Sequence, residues 1–213
     1  MRRRLALAAA KAIRAVDWLV PDLIREVKHT LRPYGLEHFF PLLLRLGFAP
    51  RHVVDVGANR GNWTRIAFKY FPDAVYTLEP QDQLKSYTQD LVAQGCKINW
   101  INAGCGAFCG VLPLSVRYRD DSSSFVLTDG FGKPIGSQCR TVPVITLNQI
   151  VASTGAVPEM VKIDAEGFDL KVLAGASDLF GKTDIFFVEA AVCANIDNSV
   201  AEVISFMNGS VIA

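Results

Sequence analysis

The segment Asp55-Val56-Gly57-Ala58-Asn59-Arg60-Gly61 sets an acid and three turn-forming residues two positions apart, directly after an apolar run from Val53. A turn of this kind, leaving a strand and opening a helix, presents free backbone N–H groups, and glycine lets a ligand approach the chain closely. The chemistry implied is binding of a nucleotide-type ligand. A dinucleotide turn needs glycine at its first, third and sixth positions, which here are Gly57, Asn59 and Asn62, so two of the three fail. The tighter acidic-x-G-x-G-x-G turn fits Asp55, Gly57, Asn59 and Gly61 with one departure, and asparagine is among the residues besides glycine that best tolerate left-handed backbone. Glu79 follows Gly61 by eighteen residues, at the end of a second apolar run, where a carboxylate can accept hydrogen bonds from both hydroxyls of a ribose. Asp55 taken alone is equally an acid that orders a loop through backbone N–H groups, a role compatible with a binding site.

Three further carboxylates are placed to do chemistry. Asp164 ends the apolar run Met160 to Ile163, Glu166 follows it, and Glu189 ends the run Asp184 to Val188. Open α/β sheets bind their ligands at the carboxyl ends of their strands, so these acids mark a candidate site. Lys162 and Asp164, two apart, share a strand face. Glu166 is equally an acid favoured by the N-terminus of a following helix. Asp164 and Glu189 could hold Mg²⁺ through oxygen ligands, but acids at neighbouring strand ends also arise from keeping charge at the solvent edge, so no metal is assigned.

The elements that must position these residues are legible in the hydrophobic pattern. Short apolar runs at Val53–Val56, Ala74–Leu78, Ile98–Asn102, Met160–Ile163 and Asp184–Val188 lack polar alternation, as strands buried on both faces of a parallel sheet do. Between them, Trp63, Ile66, Ala67 and Tyr70 predict one helix, Leu84, Tyr87 and Leu91 a second that stops at Gly95, and Val200, Val203, Ile204 and Met207 a third. The fold class is α/β, a mostly parallel sheet with helices on both faces. Residues 1–50 predict a helical N-terminal extension, with helices over Asp22 to Leu31 and over Leu36 to Leu46, the latter ending at Gly47. Residues 51–213 form the main domain. From Gly110 to Pro158 the alternation is interrupted by two strand-like stretches, Val111 to Arg119 and Cys139 to Ile145, around a Gly/Ser/Asp-rich loop, and Thr146 is placed to cap a short helix from Leu147 to Ala152. Insertions of this kind carry specificity.

Asp55 to Gly61, Glu79-Pro80, Ile101-Asn102-Ala103 and Lys162-Ile163-Asp164-Ala165-Glu166-Gly167-Phe168 together resemble the FkbM family of methyltransferases, and the resemblance continues through Val172-Leu173-Ala174-Gly175-Ala176 to Glu189. It implies a Rossmann-like class I fold, S-adenosylmethionine as methyl donor, and commonly O-methylation of sugars, glycans or natural products. It places Asp55, Gly57, Asn59 and Gly61 near the methionine part of the cofactor, Glu79 at the ribose, and Asn102 and Ala103 near the adenine. Ser122-Ser123-Ser124 resembles a serine pair common in the family's insertion, and reads equally as a flexible hydrophilic loop. Methyl transfer to oxygen asks for in-line positioning and a base near the methyl group, for which Asp164, Glu166 and Glu189 are the candidates, Asp164 first.

Composition narrows the alternatives. The chain has 213 residues, half of them hydrophobic, enough for one domain with a substantial core. A formal net charge of +1 gives no global attraction to nucleic acid, and the expected partner is a small-molecule or saccharide acceptor. The five cysteines have no C-x2-C spacing, which fits a reducing compartment and buried thiols that act as small hydrophobes. Arg2, Arg3 and Arg4 precede an apolar stretch that Lys11 and Arg14 interrupt too early for a signal peptide, and no apolar run spans a bilayer, so a soluble cytoplasmic protein is expected. The same basic residues could rest on an anionic membrane, though a solvated helix face is the simpler reading. His29, His38 and His52 are scattered and receive no role; His52 precedes the first strand at the edge away from the site.

Two rivals remain. A nucleoside-binding module without catalysis draws weight from the chain's ending: after the helix from Val200 to Asn208 only five residues follow, so the last strands of a class I fold look truncated. An NAD-dependent oxidoreductase is disfavoured by the glycine spacing and by the lack of a Tyr/Lys or His/Arg hydride-transfer set.

Overall fold

The computed structural model describes residues 36–71, 73–118, 120–127, 138–190 and 199–211. The expectations for the basic N-terminus, for the helix over Asp22 to Leu31, for His29 and for Cys193 fall outside the described residues. The chain divides into two compact units, Met1–Leu46 and Gly47–Ala213. In the first, helix α1 (Leu36–Arg45) carries Pro41 inside it, and Gly47 follows with φ +83°.

The second unit is built on a five-stranded parallel sheet. Its strands are β1 (His52–Val56), β2 (Ala74–Leu78), β3 (Ile98–Ile101), β7 (Met160–Ile163) and β8 (Ile185–Val188), in the order β3-β2-β1-β7-β8. All four residues of β7 are buried, Lys162 included, as expected of a strand covered on both faces. Val54, Val56, Val161 and Ile163 point into the main core with Leu147 and Ile150 of α4 (Leu147–Thr154) and Val172 and Leu173 of α5 (Asp169–Ala174). Phe186 and Val188 join that core, so by strand alternation Phe187 faces the other way, where Trp63 of α2 (Asn62–Phe68) meets its ring at 6.4 Å. Helices therefore cover both faces.

The interrupted region is a second sheet of three strands, ordered β4-β6-β5, in which β5 (Gly110–Val116) runs antiparallel to β6 (Gln138–Ile145) and β4 (Gly104–Cys105) runs parallel to it. β4, two residues long, carries too little pattern to be legible. Thr146 caps α4 as expected, accepting the Gln149 N–H at 3.0 Å, and the helix runs on to Thr154 and closes at Gly155.

Several details differ from expectation. The helix predicted over Leu84 to Leu91 is a 3-10 helix over Asp82–Thr88 followed by a short α3 (Gln89–Ala93). Tyr87 is 47% exposed, and the Arg60 guanidinium lies over its ring, 4.5 Å from the centroid. In α6 (Val200–Val211) the core-facing side chains are Val203, Phe206 and Met207, while Val200 and Ile204 are exposed. A reciprocal cap starts that helix: Glu202 accepts the Ser199 N–H at 2.8 Å, and the Ser199 hydroxyl accepts the Glu202 N–H at 3.3 Å. His52 opens β1, its N–H bound by Glu159 at 2.8 Å. Cys96 and Cys105 are buried, and burial pushes the Cys105 thiol up to about 12, but Cys109 and Cys139 are exposed. Among the described residues no helix is long and apolar enough to cross a membrane, and no strand follows β8.

Candidate functional site

The glycine turn leaves β1 with three residues in left-handed backbone: Gly57 at φ +70°, Asn59 at +49° and Gly61 at +76°. Asn59 thus adopts the left-handed conformation that asparagine tolerates. At Gly57 and Gly61 the missing Cβ would face the chain itself. A Cβ on Gly57 would lie 1.9 Å from the Asp164 carbonyl oxygen, and one on Gly61 would lie 2.8 Å from the Thr88 methyl. The chain's own packing claims both spaces.

Asp55 works behind this turn. Its side chain is wholly buried, one oxygen takes the Thr64 hydroxyl at 2.6 Å, and the other stands 3.1 Å from Lys162 Nζ. That second oxygen has no well-oriented hydrogen-bond donor, so the ammonium charge is what compensates it. Lys162 also donates to the carbonyls of Val56 at 3.1 Å and Gly57 at 2.9 Å, and lies 3.3 Å from Asp164. Burial lowers its pKa, but the charges of Asp55 and Asp164 outweigh that and hold it above the ordinary lysine value.

Glu79 ends β2 with its carboxylate almost enclosed, at 4% exposure. One oxygen accepts the Asn59 N–H at 2.8 Å, and the other accepts the Gln81 N–H at 2.9 Å and the Gln81 side-chain amide at 3.3 Å. Burial raises its pKa against the pull of those donors. Asn102, with its amide nitrogen oriented to suit its neighbours, donates to the carbonyls of Glu79 at 3.0 Å and Pro80 at 3.2 Å. Ala103 is buried beside it.

The acids at the strand ends do converge. Oxygens of Asp164, Glu166 and Glu189 lie within 4.8 Å of one another, close enough to share a cation. Burial, with the charges of Asp164 and Asp121, pushes Glu166 up to about 7, Arg117 opposing. A hydrogen bond to Asp164, with burial, pushes Glu189 up to about 8. Glu166 itself sits at φ +51°, an uncommon conformation for a side-chain-bearing residue. Asp169 secures that turn from one side by accepting the N–H groups of Ala165 at 2.9 Å and Gly167 at 3.1 Å. Ser124 secures it from the other, donating to the Glu166 carbonyl at 2.6 Å.

Thr64, Gln81, Asp169 and Ser124 were not assigned from the sequence. Ser124 carried a faint signal through the serine run, but it is 1% exposed and paired across Ser115, not part of a flexible loop. The acid pairs and the turn thus occupy one edge of the sheet, with Asp164 touching both groups. A comparison with curated proteins gave no match to this chain. The Methyltransferase FkbM domain profile matches residues 55–210, from the acid of the glycine turn to the last helix, and the chain belongs to the FkbM family of methyltransferases.

Proposed function

We propose that the chain is an S-adenosylmethionine-dependent O-methyltransferase acting on a hydroxyl of a saccharide, glycan or secondary metabolite. The observation that carries the reading is Asp164, which packs its carbonyl on Gly57 and brings its carboxylate to Glu166 and Glu189, so that turn and proton acceptors adjoin.

The residues suit a nucleoside. Glu79 offers only acceptor oxygens, each already steadied by a backbone N–H, with lone pairs left for the O–H groups of a ribose diol. The same buried carboxylate disfavours a phosphate at that point, since phosphate brings negative charge and acceptors of its own. In this reading Asp55, Gly57, Asn59 and Gly61 shape the turn, Glu79 binds the ribose, and Asn102 and Ala103 border the adenine. When bound, the cofactor supplies an electrophilic methyl group. Asp164 receives the hydroxyl proton as first candidate, with Glu166 and Glu189, poised near neutral pH, able to take it on. The reading assigns no divalent cation to the three acids, and a chelator tests that.

The test is incubation with methyl-labelled S-adenosylmethionine and a panel of saccharides and hydroxylated metabolites. Label transfer that survives a chelator and falls by about 10²- to 10⁴-fold in Asp164→Asn supports the reading. Calorimetry showing that Glu79→Ala and the parent bind S-adenosylhomocysteine equally would remove Glu79 from the site. Binding without transfer to any acceptor would leave a non-catalytic module.

A further inference from the structure

Two neighbouring serines of the insertion reach the two halves of the site separately. The Ser123 hydroxyl accepts the Arg117 N–H at 3.3 Å and donates to the side-chain oxygen of Gln81 at 3.4 Å. Gln81 in turn donates its amide nitrogen to Glu79 at 3.3 Å, and its backbone N–H to the same oxygen at 2.9 Å. The Ser124 hydroxyl donates to the Glu166 carbonyl at 2.6 Å while accepting the Val126 N–H at 3.0 Å. The backbones of Ser115 and Ser124 exchange hydrogen bonds of 2.8 and 3.1 Å, which fixes this segment to β5.

The connections form one hydrogen-bonded path, from Glu79 through Gln81 to Ser123, across one peptide to Ser124, and on to the backbone of Glu166. The end at Glu166 needs support, because a left-handed glutamate persists only where its surroundings hold it. The Ser123 contact with Gln81 is long, hence weak, and is the joint most open to change when Glu79 takes a ligand. We propose that Ser123 and Ser124 are positioning residues through which occupancy at Glu79 steadies the segment paired with β5 and the turn that carries Glu166, so that cofactor binding stiffens the acid side. A ligand donating to Glu79 fixes its carboxylate, which steadies the Gln81 amide and its contact with Ser123. Ser124, one peptide on, is steadied with it and so holds the Glu166 carbonyl more firmly. This inference rests on the proposed cofactor site.

Spatial continuity alone is not coupling, so the test measures coupling directly. Amide hydrogen exchange is followed on the full chain over residues 114–127, with and without S-adenosylhomocysteine, and affinity is measured separately by calorimetry. In the parent, the ligand is expected to slow exchange at the Ser115 and Ser124 amides at least tenfold. Ser124→Ala, which keeps both amides, should bind the ligand yet lose that slowing, and Ser124→Thr, which keeps the hydroxyl, should restore it. Ser123→Ala, at a half-buried position, carries the test should Ser124→Ala not fold, and is expected to show the same loss. A purely structural role would speed exchange equally with and without ligand. The inference is overturned if the parent binds S-adenosylhomocysteine without slowing at these amides, or if the alanine variants keep the full effect. Absence of binding in the parent's calorimetry would instead sink the cofactor reading, and the coupling with it.

Discussion

Lys162 Nζ lies 2.9 Å from the Gly57 carbonyl oxygen and 3.1 Å from Asp55 Oδ1, so one buried ammonium holds both the glycine turn and the acid beneath it. Replacing it by methionine removes the charge while keeping the length, and leaves Asp55 buried without its counter-charge. Removing one partner of a buried pair costs about 3–5 kcal/mol. Lys162→Met should therefore lose stability of that order in denaturant unfolding, and the paired change Asp55→Asn with Lys162→Met should recover part of it. If the double variant is no more stable than the single one, the ammonium's bonds to the Val56 and Gly57 carbonyls outweigh the ion pair.

Asn59 offers a cleaner test of the turn. At φ +49° its N–H reaches Glu79, and its side chain is not what makes that bond. Asn59→Gly should keep affinity for S-adenosylhomocysteine within about threefold, since glycine adopts left-handed backbone at least as readily. Asn59→Val should lose it by tenfold or more, because a β-branched residue there costs about 1–2 kcal/mol or moves the turn. Equal binding by the two variants would show that this backbone geometry does not serve the ligand.

How much of this was legible depends on whether the determining contacts are local. β2 (Ala74–Leu78) and β7 (Met160–Ile163) were read to the residue, because strands buried on both faces lack polar alternation, and strand alternation put Lys162 and Asp164 on one face. The left-handed bend at Asn59 was legible from residue type. The reason for Gly57 was not, since the atom that fills its missing Cβ belongs to Asp164, more than a hundred residues on. Ser124 and Glu166 are likewise 42 residues apart, and nothing in either segment's periodicity announces their contact. Tyr87 lies off the buried face because its segment is a 3-10 helix, whose tighter period does not follow the α-helical stripe.

The acid cluster makes stability depend on pH in a defined direction. Burial first, and then neighbouring acids, push Glu166 up to about 7, and the bond to Asp164 pushes Glu189 up to about 8, both from an ordinary value of 4.5. The folded chain therefore holds these protons more tightly than the unfolded chain. Their contribution is complete below pH 4.5 and is lost as pH rises through 7 and 8. Tm should fall between about pH 5 and pH 8.5 in the parent, and fall less in Glu189→Gln, which has no proton to lose there. Parallel Tm profiles for parent and variant would show that Glu189 titrates normally.

Gly57 and Gly155 separate two reasons for needing glycine. Both have positive φ, +70° and +68°, so alanine at either position pays for left-handed backbone. Around Gly155, which closes α4, nothing lies within 4 Å of an added Cβ. Gly155→Ala should cost about 1–2 kcal/mol, the conformational term alone, and leave S-adenosylhomocysteine binding unchanged. At Gly57 the added carbon meets backbone 1.9 Å away, the Asp164 carbonyl oxygen, which cannot swing aside as a side chain would. Gly57→Ala must therefore part the turn from the start of the Asp164 loop, or push the two strand ends away from each other. The expected result is a loss of stability clearly beyond that of Gly155→Ala together with a loss of binding. Equal costs at the two positions in urea unfolding would mean that the contact between Gly57 and Asp164 relaxes freely, and would remove the main reason for tying the glycine turn to the acid cluster.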